Sequence, residues 1–445
     1  MLIPIPQQVL DLLDALEAAG FQAWAVGGCV RDSLLGLPPH DWDLCTDARP
    51  EQMESVFSAR RLIRAGARHG TIAVGTDLGP VEITTFRTEG DYQDHRRPGW
   101  VHFEKTVEAD LGRRDFTVNA MAYSPQRGLK DPFGGREDLA RCVLRAVGDP
   151  RARFQEDGLR ILRGVRFAAR FRLTPEPETL AAMADLAPLL KAQARERVFA
   201  ELCGLLPWAR AQDLITFAPV LVLALPVLAP CLGFAQHNPH HAYDVYAHTA
   251  RTVEATPRTL ALRWAALLHD VGKPDCFTLD GGGVGHFYGH ARRSGELARQ
   301  CLEGLRAPKA LTAQVCTLVE YHGVCWRWEE KTVRRLLRRL GEPTLRELLA
   351  LDRADDQSKG TPAHPAVFDQ FAQTLDRVLA QRPCLCQKDL AVGGRELLAL
   401  GFSPGPALGR ALATLLELVG DGTLPNEPQV LLERARALLA QHTPE

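Results

Sequence analysis

The stretch Gly27-Gly28-Cys29-Val30-Arg31-Asp32, followed by Asp41-Trp42-Asp43, decides the reading of this chain. A glycine pair has no Cβ to hold an anion away from backbone N–H groups. Arg31 adds a planar cationic fork that matches phosphate oxygens. Asp41 and Asp43 lie two apart, so on a strand both point to one face and can share a pair of metal ions. That chemistry suits phosphoryl or nucleotidyl transfer, where two ions clamp the attacking and leaving oxygens. Either element alone is common, since Gly-Gly marks many turns and Asp-x-Asp many solvated strand edges. Their order gives them weight. An amphipathic helix pattern (Val9, Leu12, Leu13, Leu16), an apolar strand (Ala23 to Val26), the glycine turn, a short helix (Val30 to Leu35) and the carboxylate strand follow one another in a single compact unit.

Further blocks follow in order. They are Val81-Glu82-Ile83-Thr84-Thr85-Phe86-Arg87, Arg113-Arg114-Asp115-Phe116-Thr117-Val118-Asn119-Ala120, Asp131-Pro132-Phe133-Gly134-Gly135 and Glu156-Asp157-Gly158-Leu159-Arg160. Together with Gly-Gly-x-Val-Arg-Asp and Asp-x-Asp, they resemble the class II nucleotidyltransferase family of tRNA CCA-adding enzymes and bacterial poly(A) polymerases. The resemblance implies an α+β protein. A small polymerase-β-like head, a mixed sheet with helices, would precede an all-α body. It also implies a reaction: a tRNA 3′-hydroxyl attacks the α-phosphate of CTP or ATP, and pyrophosphate leaves. Asp41 and Asp43 would hold Mg²⁺, with Glu82 as a third carboxylate on the neighbouring strand. Gly27, Gly28 and Arg31 would cradle the triphosphate. Arg114, Asp115 and Asn119 would lie at the ribose.

Base choice without a nucleic-acid template falls, by the same resemblance, to Glu156, Asp157 and Arg160, with Arg163 beside them. Asp157 would accept from the amino group of cytosine or adenine, and Arg160 would donate to the ring acceptor. Guanine and uracil reverse this polarity and leave buried groups unpaired, at about 1–3 kcal/mol each. On a helix Asp157 and Arg160 would share a face, with Glu156 orienting the arginine.

A second constellation lies downstream. Within Ala265-Ala266-Leu267-Leu268-His269-Asp270-Val271-Gly272-Lys273-Pro274, the adjacent His269 and Asp270 join His248 and a later aspartate. This set resembles the HD metal-dependent phosphohydrolase superfamily. The resemblance implies a divalent metal of unassigned identity on His248, His269, Asp270 and Asp355, the last chosen over Asp352 and Asp356. It also places His290 and His322 at a second metal position. Such a site would cleave phosphomonoesters or 2′,3′-cyclic phosphates, with Lys273 helping to hold a phosphate.

Composition fits this organisation. At 445 residues the chain has room for several domains. Expected boundaries are 1–148 for the catalytic head, 149–215 for a helical neck, 235–360 for the HD domain and 361–445 for a helical tRNA-binding tail. No apolar run is long and charge-free enough for a bilayer, and the amphipathic N-terminus lacks the form of a signal peptide; the resemblance implies a cytoplasmic protein. The eleven cysteines show no tight disulfide framework. A net charge of −1 hides local basic clusters. One contains Arg151, Arg153, Arg160, Arg163, Arg166, Arg170 and Arg172; the other is Arg334, Arg335, Arg338 and Arg339. The first abuts the base-reading block and is read as functional. The loop from Thr88 to Lys105, with Gly90, Asp91, Asp94, His95, Arg96, Arg97, Pro98 and Gly99, is a candidate lid. In the family a loop here serves the switch to ATP, so its length weighs against CC-only addition.

Other readings of the residues stay open. An A-adding enzyme or a poly(A) polymerase would use the same head. A protein of another class would be an HD phosphohydrolase whose head only binds RNA.

Overall fold

The computed structural model describes residues 3–90, 100–324, 326–381 and 383–440. The central loop positions Asp91, Asp94, His95, Arg96, Arg97, Pro98 and Gly99 lie outside the described residues. The chain divides into two compact units. One comprises Met1–Ala229 with Glu303–Ala307, the other Pro230–Leu302 with Pro308–Glu445.

The first unit opens with α1 (Gln7–Ala18), β1 (Ala23–Val26), α2 (Gly28–Leu34), β2 (Asp43–Thr46) and α3 (Pro50–Val56). Then come β3 (Leu62–Ile63), β4 (Thr71–Thr76), β5 (Gly79–Thr85), β6 (Arg87–Gly90), β7 (Trp100–Phe103), α4 (Val107–Gly112), β8 (Ala122–Ser124), β9 (Gly128–Lys130) and α5 (Gly135–Ala140). Seven strands form one mixed sheet in the order β3-β4-β5-β2-β1-β8-β9, and β6 pairs with β7 apart from it. Within the seven-stranded sheet only β2 and β5 run parallel.

Side-chain alternation sorts the sheet into two apolar layers. Ala23, Ala25, Leu44, Ile72, Val74 and Ile83 pack with Leu12, Leu13 and Leu16 of α1 and Met53 of α3. Trp24, Val26, Cys45 and Ala122 pack on the opposite side with Val107 and Leu111 of α4. Because the period is two, Asp43 shares the second face with Cys45 but stands at the open end of β2, outside the apolar layer. The Cα register sets Asp43 opposite Glu82.

The same unit continues through β10 (Val143–Leu144), α6 (Pro150–Glu156), α7 (Leu159–Phe171), β11 (Thr174–Pro175), α8 (Pro177–Leu186), α9 (Arg195–Leu205), α10 (Ala211–Thr216) and α11 (Ala218–Ala224). Asp149 caps α6 by accepting from the N–H of Arg151, with Pro150 in the first turn. Helix α7 buries Leu159, Ile161, Leu162, Val165 and Ala168, and it carries Arg160, Arg163, Arg166 and Arg170 of the first basic cluster.

In the second unit, α12 (Val245–Ala255) and α13 (Leu260–Leu268) precede a short hairpin, β12 (Thr278–Leu279) with β13 (Gly285–His286). After these come α14 (His290–Gly304), α15 (Lys309–Tyr321), α16 (Glu330–Leu340), α17 (Glu342–Gln357) and α18 (Pro365–Ala380). The unit closes with α19 (Gly394–Ala399), α20 (Pro406–Gly420) and α21 (Pro428–Ala440), which share their own core around Leu397, Leu415 and Leu431. A sheet-bearing head followed by a helical body is the architecture expected from the sequence. No helix among the described residues is long and apolar enough to cross a membrane. The ten described cysteines are free thiols. Of the second basic cluster, Arg338 donates to the carbonyls of Leu416 and Glu417 at the end of α20, which is a structural use of that side chain.

Candidate active site and a second cluster of metal ligands

Gly27 joins β1 to α2 with φ +80° and ψ −124°, a conformation open to glycine alone. A Cβ there would also stand 2.7 Å from Nη1 of Arg114. The turn therefore needs glycine twice over, for its dihedral angles and for the arginine beside it. A cavity of about 450 Å³ opens next to this turn. Its walls include Gly28, Arg31, Asp41, Asp43, Arg114, Asp115, Asn119 and Arg163, so the cradle, the carboxylate pair and the ribose block meet in one place.

The carboxylates differ in setting. Asp43 begins β2, whereas Asp41 lies in the loop just before it. Glu82 of β5 is level with Asp43 and exposed. The Asp43 carboxyl is pushed up to about 6, first by desolvation and then by the negative charges of Asp41 and Glu82, with Arg114 opposing. Asp43 thus stands in the negative field of two further carboxylates, which favours a cation beside it.

Beneath the cavity runs a continuous polar chain. Arg31 is 5% exposed. Its Nε and Nη2 donate to Oδ1 of Asp32 (2.8 and 2.6 Å), and its Nη1 donates to Oδ1 of Asn119 (2.5 Å). The guanidinium also lies 4.1 Å from the ring centre of Phe171. Asn119 passes the chain on, its Nδ2 donating to Oδ1 of Asp115 (3.1 Å). Oδ2 of Asp115 accepts from Nε of Arg163 (2.7 Å). Burial opposes ionisation of Asp115, but the charge of Arg163 and the bond from Asn119 hold its carboxyl well below the usual range. Arg31 thus does more than the expected phosphate fork: it fixes Asn119, and through it Asp115.

Five further residues line the cavity without having been assigned to it from the sequence: Asp32, His40, Arg166, Phe167 and Arg170. The last three follow Arg163 at spacings of three, four and seven, one face of a helix. That spacing was the readable signal within the basic cluster.

Glu156, Asp157 and Arg160 do not line this cavity. They lie at the junction of α6 and α7, and the junction corrects the expectation of a shared helix face. Asp157 is the residue after α6 in extended conformation (φ −139°, ψ 104°), so the helix breaks between it and Arg160. Gly158 allows the break to pack tightly, since a Cβ there would come within 2.9 Å of Cβ of Leu189. Arg160 donates to Oε2 of Glu156 (2.6 Å) and to the carbonyls of Arg153 (3.2 Å) and Arg113 (3.0 Å). Asp157 accepts instead from the N–H of Leu159 (3.0 Å) and from Arg197 of α9.

A larger cavity of about 640 Å³ sits on the head among Gln8, Asp11, Arg60, Arg61 and Asp77. It contains neither the glycine turn nor the carboxylate pair, so size does not locate the chemistry here.

In the second unit, His248 of α12, His269 and Asp270 after α13, and Asp355 of α17 bring one ligand atom each to within 4.8 Å of one another. His290 and His322 approach the other oxygen of Asp270. Nδ1 faces a backbone carbonyl in all four histidines: Ser358 for His248 (3.3 Å), Ala266 for His269 (2.8 Å), Phe287 for His290 (2.8 Å) and Val319 for His322 (2.5 Å). Each ring therefore presents Nε2 to the centre, the arrangement of metal-ligating imidazoles. Nε2 of His248 lies 2.8 Å from Oδ1 of Asp355, and Nε2 of His269 and Nζ of Lys273 lie 3.1 and 2.7 Å from Oδ2 of Asp270. Among the described residues these buried nitrogens of the histidines and both Asp270 oxygens have no hydrogen bond of good geometry, so the donor set fits a divalent ion. The rival aspartates are engaged elsewhere. Asp352 accepts from the N–H of Gly323 and Nε1 of Trp326, and Asp356 accepts from the N–H of His364. Asp270 and Lys273 line a cavity of about 300 Å³.

Comparison with known proteins assigns the class first. Residues 23–145 match the family described as Poly A polymerase head domain, which makes the head a nucleotidyltransferase domain. Residues 172–213 match "Probable RNA and SrmB-binding site of polymerase A", and residues 288–435 match tRNA nucleotidyltransferase domain 2. The CCA-adding enzyme of Lacticaseibacillus paracasei is 36% identical over 427 residues, 95% of this chain and 94% of that one. That of Limosilactobacillus fermentum is 33% identical over 428 residues, 96% of each. The crystal structure of Bacillus stearothermophilus CCA-adding enzyme in complex with CTP is 29% identical, covers 98% of both chains and superposes with a TM-score of 0.69. The chain belongs to the CCA-adding enzyme family.

Proposed function

We propose that the protein adds cytidine, cytidine and adenosine to tRNA 3′ ends from CTP and ATP, releasing pyrophosphate, in the cytoplasm where tRNA is matured. The observation that carries this reading is the meeting of Asp41 and Asp43, the glycine turn and the Arg163–Arg170 face of α7 in one cavity. Asp41 and Asp43 would hold Mg²⁺, with Glu82 alongside. The ions supply Lewis-acid stabilisation of the transferring phosphoryl group. The backbone at Gly27 and Gly28 accommodates the triphosphate. Arg114 and Asp115 face the ribose, and Glu156, Asp157 and Arg160 read the base. In this reading 1–148 is the catalytic head, 149–215 the neck, 235–360 the HD domain and 361–445 the tRNA-binding tail.

An extension assay tests it, with tRNA ending at the discriminator base, in C or in CC, and with CTP, ATP or both. Addition of C, C and A followed by arrest is expected. AMP transfer onto the CC end alone would replace the reading with an A-adding enzyme, and a long A ladder with a poly(A) polymerase.

The clustered histidines favour a second activity, metal-dependent cleavage of phosphomonoesters or 2′,3′-cyclic phosphates at His248, His269, Asp270 and Asp355, with His290 and His322 at a second ion. Release of phosphate from phosphomonoesters, and opening of 2′,3′-cyclic phosphates to monoesters without phosphate release, by the metal-loaded protein is expected, together with loss of both in His269→Ala. Persistence of that release in His269→Ala would overturn the assignment.

A further inference from the structure

Arg197 attracts no notice in the sequence, forty residues from the block it touches. Its Nη2 donates to Oδ2 of Asp157 (2.8 Å) and its Nη1 reaches Oδ1 (3.5 Å), a fork laid against a carboxylate. Nη1 also donates to Oε1 of Gln193 (3.3 Å), which steadies the fork. With the N–H of Leu159 on Oδ1, three contacts fall on a group that has about four acceptor sites. One acceptor direction remains, on Oδ2. Arg160 can be counted in the same way. Both Nη1 hydrogens and one on Nη2 are engaged by Glu156 and the carbonyls of Arg153 and Arg113, which leaves Nε–H and one Nη2 hydrogen. The free groups are therefore one acceptor and two donors. Adenine (one amino donor, one N1 acceptor) and cytosine (one amino donor, O2 and N3 acceptors) can each be met by that set, and uracil, with its single donor at N3 rather than on an amino group, differs in where the donor stands.

We propose that Arg197 is a positioning residue for base selection: it orients the Asp157 carboxylate and reduces it to a single acceptor aimed at an amino group. The inference rests on the reading of Asp157 and Arg160 as the base-facing pair. Loss of the fork frees the carboxylate to rotate, so cytosine and adenine lose a pre-aimed partner. Uracil has no amino group for that acceptor, so it does not depend on the aim.

The test is single-nucleotide addition by the full-length protein to tRNA lacking CCA, with CTP against UTP, in Arg197→Met, Arg197→Lys and Asp157→Asn. Thermal unfolding of each variant is followed in parallel. Arg197→Met should raise KM for CTP about tenfold, leave kcat and the UTP reaction unchanged, and so narrow the CTP preference about tenfold. Arg197→Lys retains charge but not the fork. It should narrow the preference as well, and it serves as the test if the methionine variant fails to fold. Equal losses for CTP and UTP would reduce Arg197 to a structural ion pair and overturn the proposal. A lower KM for CTP would show that Arg197 obstructs the base and would overturn it equally. Asp157→Asn separates the two levels. If it narrows the preference while both Arg197 variants do not, only the role of Arg197 is lost. If it leaves the preference intact, the base-reading assignment itself has failed.

Discussion

At the scale of single residues, the site turns on a backbone conformation and a burial. Gly27→Ala should destabilise the protein by about 1–3 kcal/mol, because alanine must occupy a glycine-only region of backbone space. Its methyl must also displace Arg114, 2.7 Å away. Urea unfolding measures the first effect, and the KM for CTP, expected to rise, reports the second. Much of this was legible in sequence. Adjacent glycines followed by an arginine and two spaced aspartates carry their chemistry in their identities. The burial of Arg31 was not legible. Its fork engages Asp32 and Asn119, and the latter contact joins residues far apart in the chain that meet only when α2 packs beside the ribose block.

At the scale of elements, α7 is fastened to the head by several contacts, among them Arg160 to the carbonyl of Arg113, Phe171 under Arg31, and the ion pair of Arg163 with Asp115. Asp115 is buried and its carboxyl is held well below the ordinary range, so it binds a proton more weakly folded than unfolded. The stability it contributes is present above an unfolded value of about 4 and is lost as pH falls from there towards the folded value. Asp115→Asn should therefore be less stable than wild type at neutral pH by about 1–3 kcal/mol. It should also show a shallower loss of stability between about pH 5 and pH 3. Urea midpoints across that range measure both; parallel pH profiles would sink the assignment. Here sequence reading went partly astray. Spacing of three put Asp157 and Arg160 on one helix, but periodicity cannot see the extended turn at Asp157, where Gly158 leaves room for Leu189. The arginine face of α7 was visible as a cluster, yet only the fold shows that Arg163, Arg166 and Arg170 reach the carboxylate cavity.

At the scale of the whole molecule, two units each carry a convergent set of polar side chains. Asp270→Asn removes a charge that both halves of the histidine cluster share. It should weaken divalent-metal retention by more than about tenfold, as the loss of a ligand does. Addition of CMP to tRNA should persist, because that chemistry belongs to the head. Metal analysis after dialysis, alongside the extension assay, checks both, and full retention of metal would refute the cluster as its site. The division into a sheet-bearing head and a helical body was legible from strand-rich and then helix-rich patterning. The choice of Asp355 among three nearby aspartates rested on resemblance, and the different partners of Asp352 and Asp356 give it a physical reason.

The parallel pairing of β2 with β5 has a consequence in time. Antiparallel strands can zip from a tight turn, whereas a parallel pair waits for the intervening chain to cross over. Asp43 and Glu82 therefore come level only once the chain between them, with α3, β3 and β4, has crossed over. Until then Glu82 is held away from Asp41 and Asp43, so the gathering of the three carboxylates marks the closing of this part of the head.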